Sequence, residues 1–351
     1  MKKLRAGVIG AGRMGRLHSR IYSQMAQVDL VAVVDSQFAK AAQLVQEFGG
    51  RAYSLPEEIL PLVDVVTVAV PTEFHAAIAE PFLARGIGVL VEKPIAASLA
   101  EARKMLELAR THTCTLQVGY SERFNPVVQA MHRLHFTPRF MESQRISPYT
   151  FRSTDVGVVL DMMIHDIDIV LSLARSPVRD IQAVGVNVLG QHEDIANVRL
   201  TFESGCVANL TASRLALKTE RKVRVFSEEA YLSLDYLKKN GVMISKAANI
   251  DMVQWLRDQQ QENGQLNVQN ADWTQLVNVE NLDIDDREPL RLEQEAFVLA
   301  VLEGSRPQVS AEDAIAAMEL AERIVAKIGE HRWEGSSSAA ISAQQWHKNK
   351  K

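Results

Sequence analysis

The pattern of hydrophobic and polar residues changes character near residue 121. Before that point, short and nearly continuous apolar runs alternate with longer segments in which apolar residues recur every three or four positions. The short runs are typical of strands buried on both faces, and the longer spacing is typical of helices with one buried face. Their alternation predicts a parallel, doubly wound sheet. The predicted strands are 6–9, 30–34, 63–70, 88–91 and 115–118, and the predicted helices include 39–48, 74–85 and 98–109.

Beyond residue 121, half-apolar strand patterns follow one another with few helices between them. Such an order predicts a large, mostly antiparallel open sheet in an α+β domain. The predicted strands are 140–146, 181–188, 195–202, 207–212, 223–226 and 231–235, and helices are predicted at 292–302 and 311–328. We also expect an exposed Gln/Asn-rich excursion at 259–270. The predicted fold class is therefore α/β, with an N-terminal domain at 1–121, an α+β domain at 122–334 and a disordered tail at 335–351.

A glycine pattern follows the first predicted strand. Gly10, Gly12 and Gly15 form G-x-G-x-x-G, with Arg13 and Met14 before the last glycine. In this pattern the first glycine allows a tight turn, the second lets a pyrophosphate approach the backbone, and the third lets helix and strand pack closely. The helix that starts here would offer its free N–H groups to the phosphates. The pattern predicts a dinucleotide-binding Rossmann domain.

The next strand ends in Asp35, 20 residues beyond Gly15. At this spacing a carboxylate meets the adenosine ribose, where it accepts a hydrogen bond from the 2′-hydroxyl and repels a 2′-phosphate. No arginine follows in residues 36–39, so we infer that no nearby cation favours the phosphorylated cofactor. The sequence therefore predicts NAD.

Composition and charge narrow the range of partners. The 351 residues suffice for two domains, and the net charge of −4 indicates neither a nucleic-acid partner nor a basic surface. Cys114 and Cys206 are far apart, and His112 alone does not complete a metal-ligand spacing, so we expect reduced structural thiols and no metal. The chain enters its first strand at once and contains no apolar run long enough to span a membrane. We expect a cytoplasmic protein without a membrane partner.

Polar segments follow three of the predicted parallel strands, at the sheet edge where ligands bind. They are Val70-Pro71-Thr72 with His75 nearby, Glu92-Lys93-Pro94, and a segment containing Arg123 and Asn125. Lys93 differs from an ordinary surface lysine because it directly follows a buried strand. Pro94 restricts its own φ and biases Lys93 away from helix, which limits where the ammonium group points. We therefore predict a functional role for Lys93.

Residues 158–168 read as a helix that is buried on most sides. Asp161, His165 and Asp168 are spaced to share one face of that helix. Burying two carboxylates and a histidine among apolar turns costs free energy unless these groups have hydrogen-bond or ion-pair partners or serve a function. One alternative is a histidine held by a carboxylate of its own helix. A metal site is the weaker alternative, because the sequence supplies no further clear ligand.

These motifs together resemble the glucose-fructose oxidoreductase/inositol dehydrogenase (Gfo/Idh/MocA) family. The resemblance implies an N-terminal Rossmann domain that binds NAD, and a C-terminal open sheet whose face often makes oligomer contacts. We therefore expect a homo-oligomer, either a dimer or a tetramer. It also implies that Lys93 and His165 serve hydride transfer at a sugar or cyclitol carbinol, and that the Lys–Pro bond is commonly cis. The residues that carry it are Gly10–Gly15, Asp35, Val70–Thr72, Glu92–Pro94, Asp161 and His165.

Three segments, 123–126, 161–168 and 212–214, are most similar to the members of that family that oxidise UDP-N-acetylglucosamine at C3. Those members make a 3-keto sugar nucleotide on the way to the 3-amino sugar of certain lipid A molecules. The resemblance thus implies a sugar-nucleotide substrate. A uronic-acid nucleotide sugar, a deoxysugar ketone reduced with NADPH and a cyclitol remain alternatives. A catalytically silent NAD-binding regulator is a remote one.

Each candidate residue has an expected role. Oxidising a secondary alcohol requires a base of near-neutral pKa, which His165 supplies, while Lys93 stabilises the developing alkoxide. Asp161 would orient the imidazole or a sugar hydroxyl, and Lys93 and His165 could exchange roles because a desolvated lysine also acts as a base. The substrate-binding residues that we expect, chiefly to hold a diphosphate, are Arg123, Asn125, Arg145, Arg152 and Arg214.

Overall fold

The computed structural model describes residues 3–134, 136–150, 156–189, 191–247 and 277–331. The first sheet has six parallel strands in the order β3-β2-β1-β4-β5-β6, which is the Rossmann order. Its register places Ile9, Val34 and Val68 side by side, so the loops that follow β1, β2 and β4 meet at one edge. The strands are β1 (Leu4–Ile9), β2 (Val28–Val34), β3 (Arg51–Tyr53), β4 (Val65–Val68), β5 (Gly88–Glu92) and β6 (Leu116–Gly119).

Four helices connect these strands: α1 (Arg13–Ser23), α2 (Phe38–Phe48), α3 (His75–Leu83) and α4 (Leu99–Thr111). The predicted start of α4 is confirmed by a capping box. The Ser98 hydroxyl accepts a hydrogen bond from the Glu101 N–H at 3.2 Å, and the Glu101 carboxylate accepts one from the Ser98 N–H at 3.1 Å.

The second sheet has eight strands in the order β14-β13-β12-β11-β7-β10-β9-β8. Only β7 and β10 pair in parallel and the other pairs are antiparallel, as predicted. The strands are β7 (Phe140–Ile146), β8 (Val178–Val186), β9 (Ile195–Phe202), β10 (Val207–Ser213), β11 (Glu220–Phe226), β12 (Ala230–Asp235), β13 (Asn240–Lys246) and β14 (Val277–Asn281).

Helices of the second half join the two sheets. They are α5 (Pro126–Arg133), α6 (Ile164–Ala174), α7 (Pro289–Glu303) and α8 (Ala311–Glu330), and a π turn at Val159–Met163 leads into α6. α7 returns to the Rossmann half and packs against α1, whereas α8 packs against α4, α6 and β8. Within the described ranges, no helix combines the length and apolar character needed to cross a bilayer.

Several differences from the sequence prediction have physical reasons. β3 was not predicted because it is only three residues long. β14 was not predicted because it is mostly polar and exposed, and it pairs only with β13 at the edge of the described sheet. β4 is shorter than the apolar run 63–70, which continues into the loop before Pro71. The excursion at 259–270 and the tail at 335–351 lie outside the described residues. The domain boundary proposed at 121/122 falls between β6 and β7, and stays a prediction.

The N-terminus of α8 offers a stability test. The Ser310 hydroxyl accepts from the Asp313 N–H, and the Asp313 carboxylate accepts from the Ser310 N–H at 3.0 Å. We expect Ser310→Ala to lower the free energy of unfolding by about 1 kcal/mol, because helix N–H groups lose their acceptor. Urea unfolding measures the change, with Ser305→Ala, an exposed serine that starts no helix, as the control. Equal midpoints for the two variants would contradict this role.

Candidate active site

The loop between β1 and α1 has the backbone geometry that its glycines predict. Gly10 has a φ of +98°, and a Cβ there would lie 2.3 Å from the Ala69 carbonyl oxygen. A Cβ on Gly15 would lie 1.6 Å from the Gly10 carbonyl oxygen, so any side chain would break the contact between loop and helix. A Cβ on Gly12 would meet nothing within 4 Å, so the backbone there is open to a ligand. The loop fits a pyrophosphate at the N-terminus of α1.

Asp35 closes this loop from the end of β2. Its carboxylate accepts hydrogen bonds from the N–H groups of Ala11 and Gln37, both at 2.8 Å. It borders a cavity of about 540 Å³ at the edge of the parallel sheet, which fits the adenosine side of NAD. The lining includes Gly10, Gly12, Asp35, Val70 and Pro71, which the sequence analysis selected.

The inference that no cation lies near Asp35 is wrong. Lys40 lines the same cavity, because the first turn of α2 brings it back toward the end of β2. No arginine stands at residues 36–39, but Lys40 is the next residue in the chain. Asp35 and this positive charge therefore border the same cavity.

The other predicted cofactor residues lie around this edge. Arg13 and Met14 form the first turn of α1, and Thr72 begins a short 3₁₀ turn after Pro71. His75 is buried, and its two ring nitrogens lie 2.9 Å from the carbonyl oxygens of Val70 and Pro94. It therefore ties the loops after β4 and β5 together, so its predicted role at the cofactor is, on this geometry, one of support.

Lys93 leaves the end of β5 and reaches the second half of the chain. Its ammonium group donates a hydrogen bond to the Asp161 backbone carbonyl at 2.8 Å and lies 3.5 Å from the Asp161 carboxylate. The Lys93 side chain is 22% exposed, so its ammonium group remains partly accessible. The Lys93–Pro94 bond is cis, as the family resemblance implied. Two sequence-distant candidates thus meet at one point.

His165 lies one turn further along, in the first turn of α6. Its ring packs edge-to-face on the ring of Tyr120, with 5.9 Å between the centroids. Its Nδ1 is buried and has no hydrogen-bond partner among the described residues. Burial, followed by the positive charges of Lys93, Arg145 and Arg221, holds the pKa of His165 well below its usual value. The imidazole is therefore neutral at pH 7 and able to accept a proton.

Asp161 and Asp168, which were expected to share a helix face with His165, each pair with a cation, and the shared face stays a prediction. The π turn that contains Asp161 changes the helical repeat just before His165, and the Asp161 carboxylate faces Lys93. Asp168 accepts from Arg123 Nε at 2.8 Å. Among the described residues, neither carboxylate is hydrogen-bonded to His165, so the alternative of a histidine held by its own helix is not supported.

Three of the predicted substrate arginines are buried in ion pairs. Arg123, Arg145 and Arg214 are 8%, 4% and 5% exposed, and a carboxylate of the same chain neutralises each of them. Such pairs fix local structure, because a buried charge without its partner is strongly unfavourable. The pairs are Arg123 with Asp168, Arg145 with Asp166, and Arg214 with Asp194. Their contact with substrate stays a prediction.

The remaining two predicted substrate residues are placed differently. Asn125 is buried, caps α5 by accepting from the Val127 N–H at 3.1 Å, and donates to the Glu122 carboxylate at 3.3 Å. Arg152 lies outside the described residues. The structure therefore gives Asn125 a supporting position next to Glu122, and leaves the expectation for Arg152 as it stood.

Arg221 is a site residue that the sequence analysis missed. It stands directly opposite Arg145 in the pairing of β11 with β7, so both side chains leave the same face of the sheet. Arg221 donates to the Glu122 carboxylate at 2.8 Å, yet it remains 42% exposed. The strand was predicted to begin at Val223. Extending its alternation back by one step would have put Arg221 on the inward face with Val223 and Val225.

The arrangement combines a cavity for the cofactor at the edge of the parallel sheet, a neutral imidazole and a partly exposed ammonium group. A neutral imidazole can take a proton from a hydroxyl, and a fixed cation beside it stabilises the oxygen anion that results. Arg221 adds a second accessible positive charge near the same imidazole. These features suit oxidation of a hydroxyl group on a substrate that also carries negative charge.

Comparisons with known proteins agree with this site. Residues 4–120 match the oxidoreductase family described as having an NAD-binding Rossmann fold, and residues 128–233 match the GFO/IDH/MocA C-terminal domain. The chain is 35% identical over 238 residues to a UDP-N-acetylglucosamine 3-dehydrogenase of Acidithiobacillus ferrooxidans, covering 68% of this chain and 75% of that one. It is 26% identical over 265 residues to a myo-inositol 2-dehydrogenase of Thermotoga maritima, covering 69% and 78%.

The similarity in three-dimensional structure covers nearly the whole chain. The structure of the UDP-N-acetylglucosamine 3-dehydrogenase from A. ferrooxidans superimposes with a TM-score of 0.82 at 28% identity, covering 94% of this chain and 99% of that one. The Rossmann half, the second sheet and the paired family matches all agree with the resemblance inferred from the motifs. The chain is therefore an NAD-binding oxidoreductase of the Gfo/Idh/MocA family.

Proposed function

We propose that the protein oxidises the C3 hydroxyl of a sugar nucleotide such as UDP-N-acetylglucosamine, giving the 3-keto sugar. The observation that carries this proposal is the contact of Lys93 with Asp161, which places a cation from the cofactor half next to the neutral His165 of the second half. The identity to a UDP-N-acetylglucosamine 3-dehydrogenase favours this substrate over a cyclitol, since the inositol dehydrogenase relative is less similar.

In the proposed mechanism, His165 accepts the proton of the reacting hydroxyl and Lys93 stabilises the oxygen as it becomes negative. NAD, when bound, supplies the hydride acceptor. Lys93 Nζ is held at 2.8 Å from the Asp161 backbone carbonyl, so in this proposal it acts as the fixed electrostatic partner while His165 acts as the base. Asp161 orients Lys93 through its carbonyl and its carboxylate, rather than the imidazole.

We assign the substrate diphosphate to Arg221. Its side chain is accessible, lies on the His165 side of the sheet and shares Glu122 with Arg145, so its own charge is only partly neutralised. A planar guanidinium suits phosphate oxygens. Of the arginines predicted from the sequence, Arg152 remains a second candidate for this contact, while Arg123, Arg145 and Arg214 hold the surrounding elements in place.

Two wider expectations belong to the same proposal. We propose that further copies of the chain associate through the outer face of the eight-stranded sheet, where polar residues such as Asn197 and Thr211 hydrogen-bond across β9 and β10. We also propose that the enzyme works in the cytoplasm. The state of association is measurable by light scattering of the full chain.

The first prediction concerns cofactor choice. We expect higher kcat/KM with NAD than with NADP, and Asp35→Ala should reduce that preference about tenfold or more, the scale of one charged hydrogen bond. Because Lys40 lines the same cavity, Lys40→Ala should act in the opposite direction and weaken NADP use. Initial rates with both cofactors measure these ratios. Wild-type preference for NADP would contradict the role of Asp35.

The second prediction concerns protonation. We expect His165 to titrate below pH 6.5, and Lys93→Met to raise its pKa because a neighbouring positive charge is removed. NMR titration of the imidazole, assigned with His165→Asn, measures this shift. Lys40→Met, which removes a lysine beside Asp35, is the matched control and should leave the titration unchanged. Either active-site variant should lower kcat by about 10² or more. If the pKa of His165 were unchanged in Lys93→Met, the charge of Lys93 would not act on the imidazole, and the proposed coupling of the two residues would be contradicted.

The third prediction concerns substrate. In an assay of NADH formation over UDP-sugars and inositols, we expect turnover of UDP-N-acetylglucosamine and competitive inhibition by UDP. Arg221→Met should raise the KM for the sugar nucleotide about tenfold or more and leave the KM for NAD nearly unchanged. Arg224→Met is the control, because Arg224 lies on the opposite, exposed face of β11 and pairs with Glu142.

Three outcomes would contradict this substrate assignment. Turnover of free N-acetylglucosamine as efficient as that of its UDP form would show that the nucleotide is not recognised. Turnover of inositols alone would indicate a cyclitol dehydrogenase. NAD binding without turnover of any alcohol would support the silent regulator.

A further inference from the structure

A second group of titratable side chains is buried where α1, β5 and α7 meet. His18 lies on α1, Glu92 at the end of β5, and Glu293 on α7. His18 Nε2 is 2.9 Å from a Glu92 carboxylate oxygen, and one atom of each of the three side chains lies within 4.8 Å of the other two. The proposed reaction does not use this group, although Glu92 immediately precedes Lys93 in the sequence.

Glu293 is in an unusual position for a carboxylate. It is completely buried, and neither of its carboxyl oxygens has a hydrogen-bond partner among the described residues. Burial, followed by the like charge of Glu92, holds the pKa of Glu293 well above its usual value. An ionised carboxylate without donors would be strongly unfavourable here.

The surroundings of the group are polar but uncharged. The Gln117 amide donates to the Glu293 backbone carbonyl at 3.0 Å, and the Gln294 amide donates to the His18 carbonyl at 3.3 Å. Both glutamine side chains are completely buried. These contacts fix the backbones of α1 and α7 around the three titratable side chains, but place no arginine or lysine in hydrogen-bond contact with the Glu293 carboxyl.

We infer that Glu293 is a neutral carboxylic acid that donates its proton to the Glu92 carboxylate, and so acts as a positioning residue for the cofactor side of the active site. The ligand atoms of the two carboxyl groups lie within 4.8 Å of each other without a direct hydrogen bond, so in this inference one bridging water connects them. Glu92 is then held from two sides, by Glu293 and by His18. Because α1 begins at the glycine loop, the group links the pyrophosphate loop to the strand that carries Lys93.

A divalent cation is the competing occupant. One imidazole and two carboxylates are suitable ligands for such an ion. His18 and Glu293 are both completely buried, so a hydrated ion would need a path through the protein to reach them. A proton explains the same geometry and needs no such path. The two occupants make opposite predictions for replacement of Glu293 by glutamine, which keeps a donor but loses an ionisable ligand.

The experiment compares Glu293→Gln and Glu293→Ala by NADH affinity, which needs no sugar substrate and so can fail independently of the proposed function. We expect Glu293→Ala to weaken NADH binding about tenfold, and Glu293→Gln to restore it to within about twofold of wild type, because the amide donates to Glu92. Glu295→Ala is the matched control: it removes a carboxylate of the same helix that pairs with Arg291 and lies away from the group.

Infrared difference spectra of wild type against Glu293→Gln test the protonation state directly. We expect the carbonyl stretch of a protonated carboxyl at pH 7 in wild type and its loss in the variant. Absence of that band would overturn the inference, as would one tightly bound divalent metal per chain that Glu293→Gln removes. Wild-type NADH affinity in a folded Glu293→Ala would overturn the positioning role. If that variant does not fold, the spectra and the glutamine variant decide.

Discussion

The hydrogen bond from the Lys93 ammonium group to the Asp161 carbonyl, 2.8 Å long, connects the two halves of the active site. Lys93 is fixed by its place at the end of a buried parallel strand, and Asp161 by a π turn at the start of α6. The contact therefore joins the loop after β5 in the Rossmann half to the segment that leads into His165 in the second half.

Burial and nearby positive charges keep His165 in the neutral form that the proposed reaction needs. The imidazole is shielded from solvent and lies among cations, which holds its pKa well below the usual value. The cations are in turn held by buried acids: Glu122 accepts from both Arg145 and Arg221, and Asp166 accepts from Arg145 at 2.7 Å. Removing one member would leave a buried charge without its partner, so the whole group specifies where α6 lies relative to β7 and β11.

Much of the fold was predictable because local patterns carry it. Alternating apolar runs placed β7 and β9 at their observed ends, and the spacing of Gly10 to Asp35 predicted the loop that the structure contains. The proximity of Lys93 to His165 came only from the family resemblance. Residues far apart in sequence meet through tertiary packing, so the buried pairing of Arg123 with Asp168 had no local signal, whereas the inward position of Arg221 could have been read from the alternation of β11.

The central claim is that this site removes a hydride from C3 of a sugar nucleotide. The most direct measurement is the mass of the NADH formed from UDP-N-acetylglucosamine that carries deuterium at C3. We expect NADH heavier by one deuterium, together with a slower rate for the labelled substrate. Unlabelled NADH formed at the same rate from the labelled sugar nucleotide would contradict it.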